Sequence, residues 1–100
     1  MTVSICQLTI EFPCEELYGL TSRLRRAGVS TAGNIAEGWR RSAVGEYRQF
    51  RGTARGSNFE VQTQLVIARE LGYGRTEKLQ RVKELSAEVG KMLVAMMKKL

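Results

Sequence analysis

A chain of 100 residues, 43% hydrophobic and 26% charged, with a single proline, makes one domain with one modest core and a bias toward helix. It contains no histidine and no aspartate. A zinc site, a Ser-His-Asp triad, a Cys-His pair or a carboxylate-rich magnesium cage would each lack essential members, so no catalytic residue, metal or cofactor is expected.

The formal charge of +6 and the pI near 9.8 invite a polyanionic partner, because Lys and Arg that displace counterions from phosphates gain affinity without reading sequence. The plainer alternative is charge kept for solubility. The best apolar runs, Leu65 to Ala68 and Leu93 to Met97, fall far short of the roughly 20 residues of a spanning helix. Met1 to Glu11 shows neither a basic n-region nor a small-residue cleavage site, so a cytoplasmic location with no membrane partner is expected. Cys6 and Cys14 are too few for a disulfide framework and are expected to serve as small hydrophobes in a reduced compartment.

From Thr2 to Glu11 the apolar residues Val3, Ile5, Leu8 and Ile10 fit a short helix or a strand equally well, and Phe12-Pro13 breaks the pattern. Pro13 followed by Glu15 and Glu16 signals a helix start. Leu17, Leu20, Leu24, Ala27, Thr31 and Ile35 then form one amphipathic stripe. Unbroken to Gly38, that helix would be about 37 Å long. Gly28 and Gly33 imply either a break or the close approach of another backbone. Gly38 reads as a C-cap, and Ser42 as the N-cap of the next helix.

The third segment repeats the pattern through Tyr47, Phe50, Ala54, Ser57, Val61, Leu65 and Ala68, ending at Gly72. Beside it runs a second row, Arg48, Arg51, Arg55, Phe59, Gln62 and Val66, whose apolar end suits another helix or subunit and whose basic end suits solvent or an anion. After Gly72 to Gly74, Thr76 can cap a last helix with the stripe Leu79, Val82, Ser86, Val89, Leu93, Met96 and Leu100, widened by Leu85 and Met92. Glu77 and Arg81 are spaced for an ion pair on its exposed side. Met92, Met96 and Met97 read as core and near-core fill. The small residues Ala27, Gly28, Thr31, Ala32 and Gly33 are expected to face Gly52, Ala54, Gly56 and Ser57 across a close helix contact.

Charge is distributed unevenly along this frame. Eight arginines lie between Leu20 and Ser57 against only Glu37 and Glu46, and the rest of the chain balances, so the whole net +6 resides in the middle. Arginines can bridge helices through Glu37, Glu46 and Glu60. Two acids within the stretch do not neutralise eight cations, and phosphate binding is the favoured use of the remainder. Asn34 and Glu37 stand three residues apart without a nucleophile, base partner or metal ligand nearby, and suit a structural network rather than catalysis. Tyr47 belongs to the core stripe, whereas Trp39 is left open between packing and stacking on a base.

These residues resemble a known family. Phe12-Pro13 with Glu16 and Tyr18, then LTSRLRRA from Leu20, NIAEG at Asn34 to Gly38, ARGS at Ala54 to Ser57, and Glu60 with Gln64 and Leu65 are similar to the small proteins encoded in intervening sequences of bacterial 23S rRNA genes. That family is in turn related to the accessory variability determinant proteins of diversity-generating retroelements. The resemblance implies an all-α, left-handed, antiparallel up-and-down four-helix bundle over residues 1–100, assembling as a homopentamer, with nucleic acid as ligand and no established catalytic activity. Three departures stand out. Members carry a first helix roughly twice as long as the segment before Pro13, they have a proline before NIAEG where this chain has Ala32-Gly33, and they have an apolar residue after ARGS where this chain has Asn58. A bundle with a short first helix leaves an apolar groove that is filled by another subunit or stays a liability.

The expected function is a non-enzymatic, oligomeric RNA- or DNA-binding protein with weak sequence preference, contacting phosphates through Arg23, Arg26, Arg40, Arg41, Arg48, Arg51 and Arg55. Asn34, Glu37, Gly28, Gly33, Phe59 and Val66 are assigned to structure or assembly. The alternative is a scaffold whose arginines bind an acidic protein partner such as a nucleic-acid enzyme.

Overall fold

In the computed structural model, which describes residues 1–41 and 43–98 with the side chains of residues 97 and 98 left aside, four α-helices follow one another: α1 (Thr2–Thr9), α2 (Leu20–Trp39), α3 (Val44–Leu71) and α4 (Thr76–Lys98). The chain is an antiparallel four-helix bundle with a short first helix, 43 × 23 × 18 Å in extent. Among the described residues there is no strand, and no helix is long and apolar enough to cross a membrane.

The N-terminal segment resolves its ambiguity in favour of helix, because Ile5 and Leu8 have a core to enter on α2 and α4. The stretch after Pro13 departs from expectation. Pro13 is extended (φ −56°, ψ 145°), Cys14–Glu16 make one 3₁₀ turn, and Gly19 (φ −112°, ψ −111°) reverses the chain before α2 starts at Leu20. Glu16 reaches forward to accept a hydrogen bond from the Leu20 N–H at 3.3 Å, satisfying one donor of the new helix end. Leu17, placed on the stripe by its spacing, therefore lies outside the helix and is half exposed. Cys14 is exposed as well, so only Cys6 is partly covered as expected of a small hydrophobe.

Helix α2 runs without a break through Gly28 and Gly33 and beyond Gly38. Gly38 is thus not a cap. A Cβ there would stand 3.0 Å from the Phe50 Cβ and 3.7 Å from the Tyr47 carbonyl, which marks a close approach of α2 and α3. Gly28 makes room for Ile5 of α1, not for α3, and Gly33, Gly52 and Gly56 face open space. The expected small-residue seam therefore reduces to Ala27, Thr31 and Ala54, which are buried, and to Ser30 and Ser57, whose hydroxyls share a hydrogen bond of 2.8 Å. The expected cap Ser42 lies outside the described residues, as does Leu100. Helix α4 begins at Thr76 itself, with the Arg75 carbonyl accepting from the Leu79 N–H, and the expected Glu77–Arg81 pair does not form.

Helix α3 ends as its sequence predicts. Gly72 takes the left-handed conformation (φ 74°), its N–H donates to Arg69 O and the Tyr73 N–H donates to Ala68 O, a Schellman closure. Tyr73 then packs on the core beside Phe12, and desolvation followed by the Glu16 carboxylate raises its phenol above the usual pKa.

The short α1 divides the interior in two. Around it, Ile5, Leu8, Leu24, Val61, Leu65 and Val82 form a four-helix core. Beyond its N-terminal end, Ala54, Leu93 and Met96 with Ile35, Tyr47 and Val89 form a smaller three-helix core. Buried polar groups join α3 to α4: Asn58 donates to Ser86 O (3.0 Å), Ser86 donates back to Asn58 Oδ1 (2.8 Å), and Gln62 donates to Ser86 Oγ (3.2 Å). Asn58, a departure from the family pattern, has its reason here. Asn58→Ala removes both of its buried bonds to Ser86 and is expected to cost about 2 kcal/mol in urea denaturation, whereas the exposed Thr53→Ala is expected to be within about 0.5 kcal/mol of the parent.

Candidate nucleic-acid interface

The pairing of α2 with α3, set by Ser30 against Ser57 and Gly38 against Phe50, brings the last turn of α2 beside the first turns of α3. Arg40, Arg41, Arg48 and Arg51 are thereby gathered at one end of the bundle, with Arg55 one turn further along α3. Arg23 and Arg26 lie on the other half of α2; at 1.5 Å per residue Arg26 is about 21 Å from Arg40 along the helix. The seven predicted cations are therefore four at one end, Arg55 on the face toward α4, and a separate pair.

Their partners differ. Arg41 bonds Glu37 at 3.2 Å, lies 3.8 Å from Glu46 and covers the Phe50 ring at 5.1 Å, so it ties α2 to α3. Arg40 sits 3.7 Å from Glu37 with its side chain 78% exposed, a contact that water screens heavily. Arg55 lies over the Phe59 ring at 5.5 Å. The guanidinium groups of Arg23, Arg26, Arg48 and Arg51 make no ion pair or hydrogen bond among the described residues. Arg25, the one middle arginine outside the predicted site, donates to Thr9 Oγ1 at 2.8 Å and fastens α1 to α2.

Glu37 thus serves Arg40 and Arg41, while Asn34 donates to Ser30 O and Oγ (2.8 and 3.1 Å), supporting the serine that meets Ser57. Glu60, offered above as an arginine partner, accepts from Gln64 instead at 2.7 Å. The residues assigned to assembly do not form one site: Gly28 is under α1, Gly33 is in the open, and Phe59 and Val66 are exposed on α3.

Next to the arginine end lies an apolar groove of about 620 Å³ between α2 and α4, lined by Ala36, Trp39, Arg40, Met92 and Ala95. A smaller cavity lined by Met1, Thr2, Ala32 and Met92 connects its direction with the N-terminal end of α1. Trp39 is 62% exposed there, and Met92 is 45% exposed, lining the groove where core fill was expected.

Sequence reasoning missed the cations of α4. Lys83 and Lys91 line the outer face between α3 and α4, eight residues and so about two helical turns apart. That spacing was visible, but it was hidden by the zero net charge of the region. The family model described as 23S rRNA-intervening sequence protein matches residues 1–95. No curated protein matches the chain significantly.

Proposed function

The chain belongs to the 23S rRNA-intervening sequence protein family, and from that premise we propose that it is a non-enzymatic, cytoplasmic, oligomeric protein that binds RNA or DNA through phosphates. The observation that carries this reading is the arginine cluster at the α2–α3 end, where Arg48 and Arg51 have no carboxylate partner among the described residues and Arg40 has only an exposed one. Guanidinium groups so placed release counterions from a phosphate backbone and read no base edges, which favours weak sequence preference.

Assembly is part of the proposal. The apolar groove at Trp39 and Met92 exposes surface that association would cover, and a homopentamer, the state implied by the family resemblance, would repeat the basic end fivefold. Light scattering on the full chain is expected to give a mass several times that of the 11.2 kDa protomer, and Ala36→Glu, which places a charge in the groove, is expected to reduce it. Fluorescence anisotropy with single-stranded RNA and duplex DNA is expected to show binding that weakens steeply with salt. Absence of binding at low salt would remove the nucleic-acid reading, and a monomer would remove the assembled basic surface.

A further inference from the structure

The outer face between α3 and α4 holds a trough that neither core uses. One part, about 450 Å³, is lined by Val66, Leu79 and Lys83, and the next, about 420 Å³, by Phe59, Lys91 and Val94. Both parts are lined by Gln62 and Ala87, so they adjoin along the α3–α4 face. It spans α3 from Arg55 to Arg69, about 21 Å of helix. Phe59, Val66 and Val94 are 52%, 50% and 46% exposed along it. The charged residues lining it are Arg55, Arg69, Lys83 and Lys91, and no carboxylate is among the lining residues.

We propose that this trough is a docking site for an acidic amphipathic helix of a partner protein, about 14 residues long, with an apolar stripe toward Phe59, Val66 and Val94 and glutamates or aspartates toward the rims. Charge complementarity decides the occupant. An apolar floor gains free energy only against apolar atoms, at about 25 cal/mol per Å², which a phosphate backbone does not supply. A two-fold pairing of copies through the trough would set its four cations against the same four. An acidic amphipathic helix satisfies floor and rims together, by the helix-in-groove mode. The trough shares Arg55 with the predicted phosphate contacts, but Lys83 and Lys91 belong to it alone, so changing those two lysines separates its failure from the failure of nucleic-acid binding.

The test uses the full chain and a fluorescein-labelled synthetic helix of about 16 residues with leucine at positions i, i+3, i+4 and i+7 and glutamate on the flanks. A second peptide carries lysine on the flanks, and a single-stranded oligonucleotide serves as competitor. The acidic peptide is expected to bind and the lysine peptide not to bind. Lys83→Glu with Lys91→Glu is expected to weaken the acidic peptide at least about tenfold. The milder Lys83→Gln with Lys91→Gln provides the same comparison should the reversal disturb folding by circular dichroism, with a smaller loss expected. Equal binding of both peptides, indifference to the lysine changes, or displacement of the peptide by the oligonucleotide would each overturn the proposal. So would a fall in assembly size on changing Lys83 and Lys91, which would give the trough to a second copy.

Discussion

Gly74→Ala is expected to lower the free energy of unfolding by about 3 kcal/mol, from two causes that add. Gly74 adopts φ 78°, where an L-residue is strained by roughly 1–3 kcal/mol. A Cβ there would also stand 2.6 Å from Leu8 Cδ1 and 3.1 Å from Phe12 Cε1. Leu8 is fully buried among α2, α3 and α4 residues, so it has no free volume to retreat into, and overpacking of this kind costs about 1–3 kcal/mol. Urea denaturation measures the loss. Gly56→Ala is the internal control, because it sits in the exposed middle of α3 with no atom within 4 Å of the added methyl. It is expected to stabilise by about 0.5–1 kcal/mol through helix propensity. A Gly74 variant as stable as the Gly56 variant would show that the α3–α4 turn does not lock α1 in place.

The second large effect concerns binding. Replacing Arg48, Arg51 and Arg55 together by glutamine is expected to reduce single-stranded RNA affinity by about tenfold or more at low salt. It should also reduce the steepness of the dependence of log K on log salt by about 2, since each lost phosphate contact on a single strand removes about 0.7. Arg25→Gln is the matched control. That guanidinium is committed to Thr9, so its loss should loosen α1 while leaving the salt dependence unchanged. An unchanged salt slope in the triple variant, with folding intact by circular dichroism, would take the α3 arginines out of the interface.

The helices themselves were largely legible. The apolar spacing of α3 and α4 places Val61, Leu65, Ala68, Val82, Leu93 and Met96 in the interior, and Gly72 stops α3 where its sequence predicts. Pro13 was legible as a boundary and misread as a start, since a proline followed by acids looks the same before a 3₁₀ turn as before an α-helix. The site was legible as composition only. An excess of arginine between Leu20 and Ser57 says that cations are present, yet Arg25, Arg41 and Arg48 look alike in sequence. One binds Thr9, one is clasped by two glutamates, and one has no partner among the described residues.

What the sequence determined by itself is local: that the later three segments contain helices, which stripe of α3 and α4 is apolar, where α3 ends, and that the positive charge is concentrated in the middle. Each of these follows from residues within a turn or two of one another, through periodicity, capping and propensity. Only the tertiary structure decided that Gly28 serves α1 and Gly38 serves α3, that Asn58 finds Ser86, that Arg40 and Arg41 come beside Arg48 and Arg51 at one end, and that Lys83 and Lys91 join Arg55 and Arg69 around a trough. The physical reason is range. Those relations join side chains on different helices, and they depend on the register in which α1, α2, α3 and α4 pack, which is set by the whole core at once and by no single segment of it.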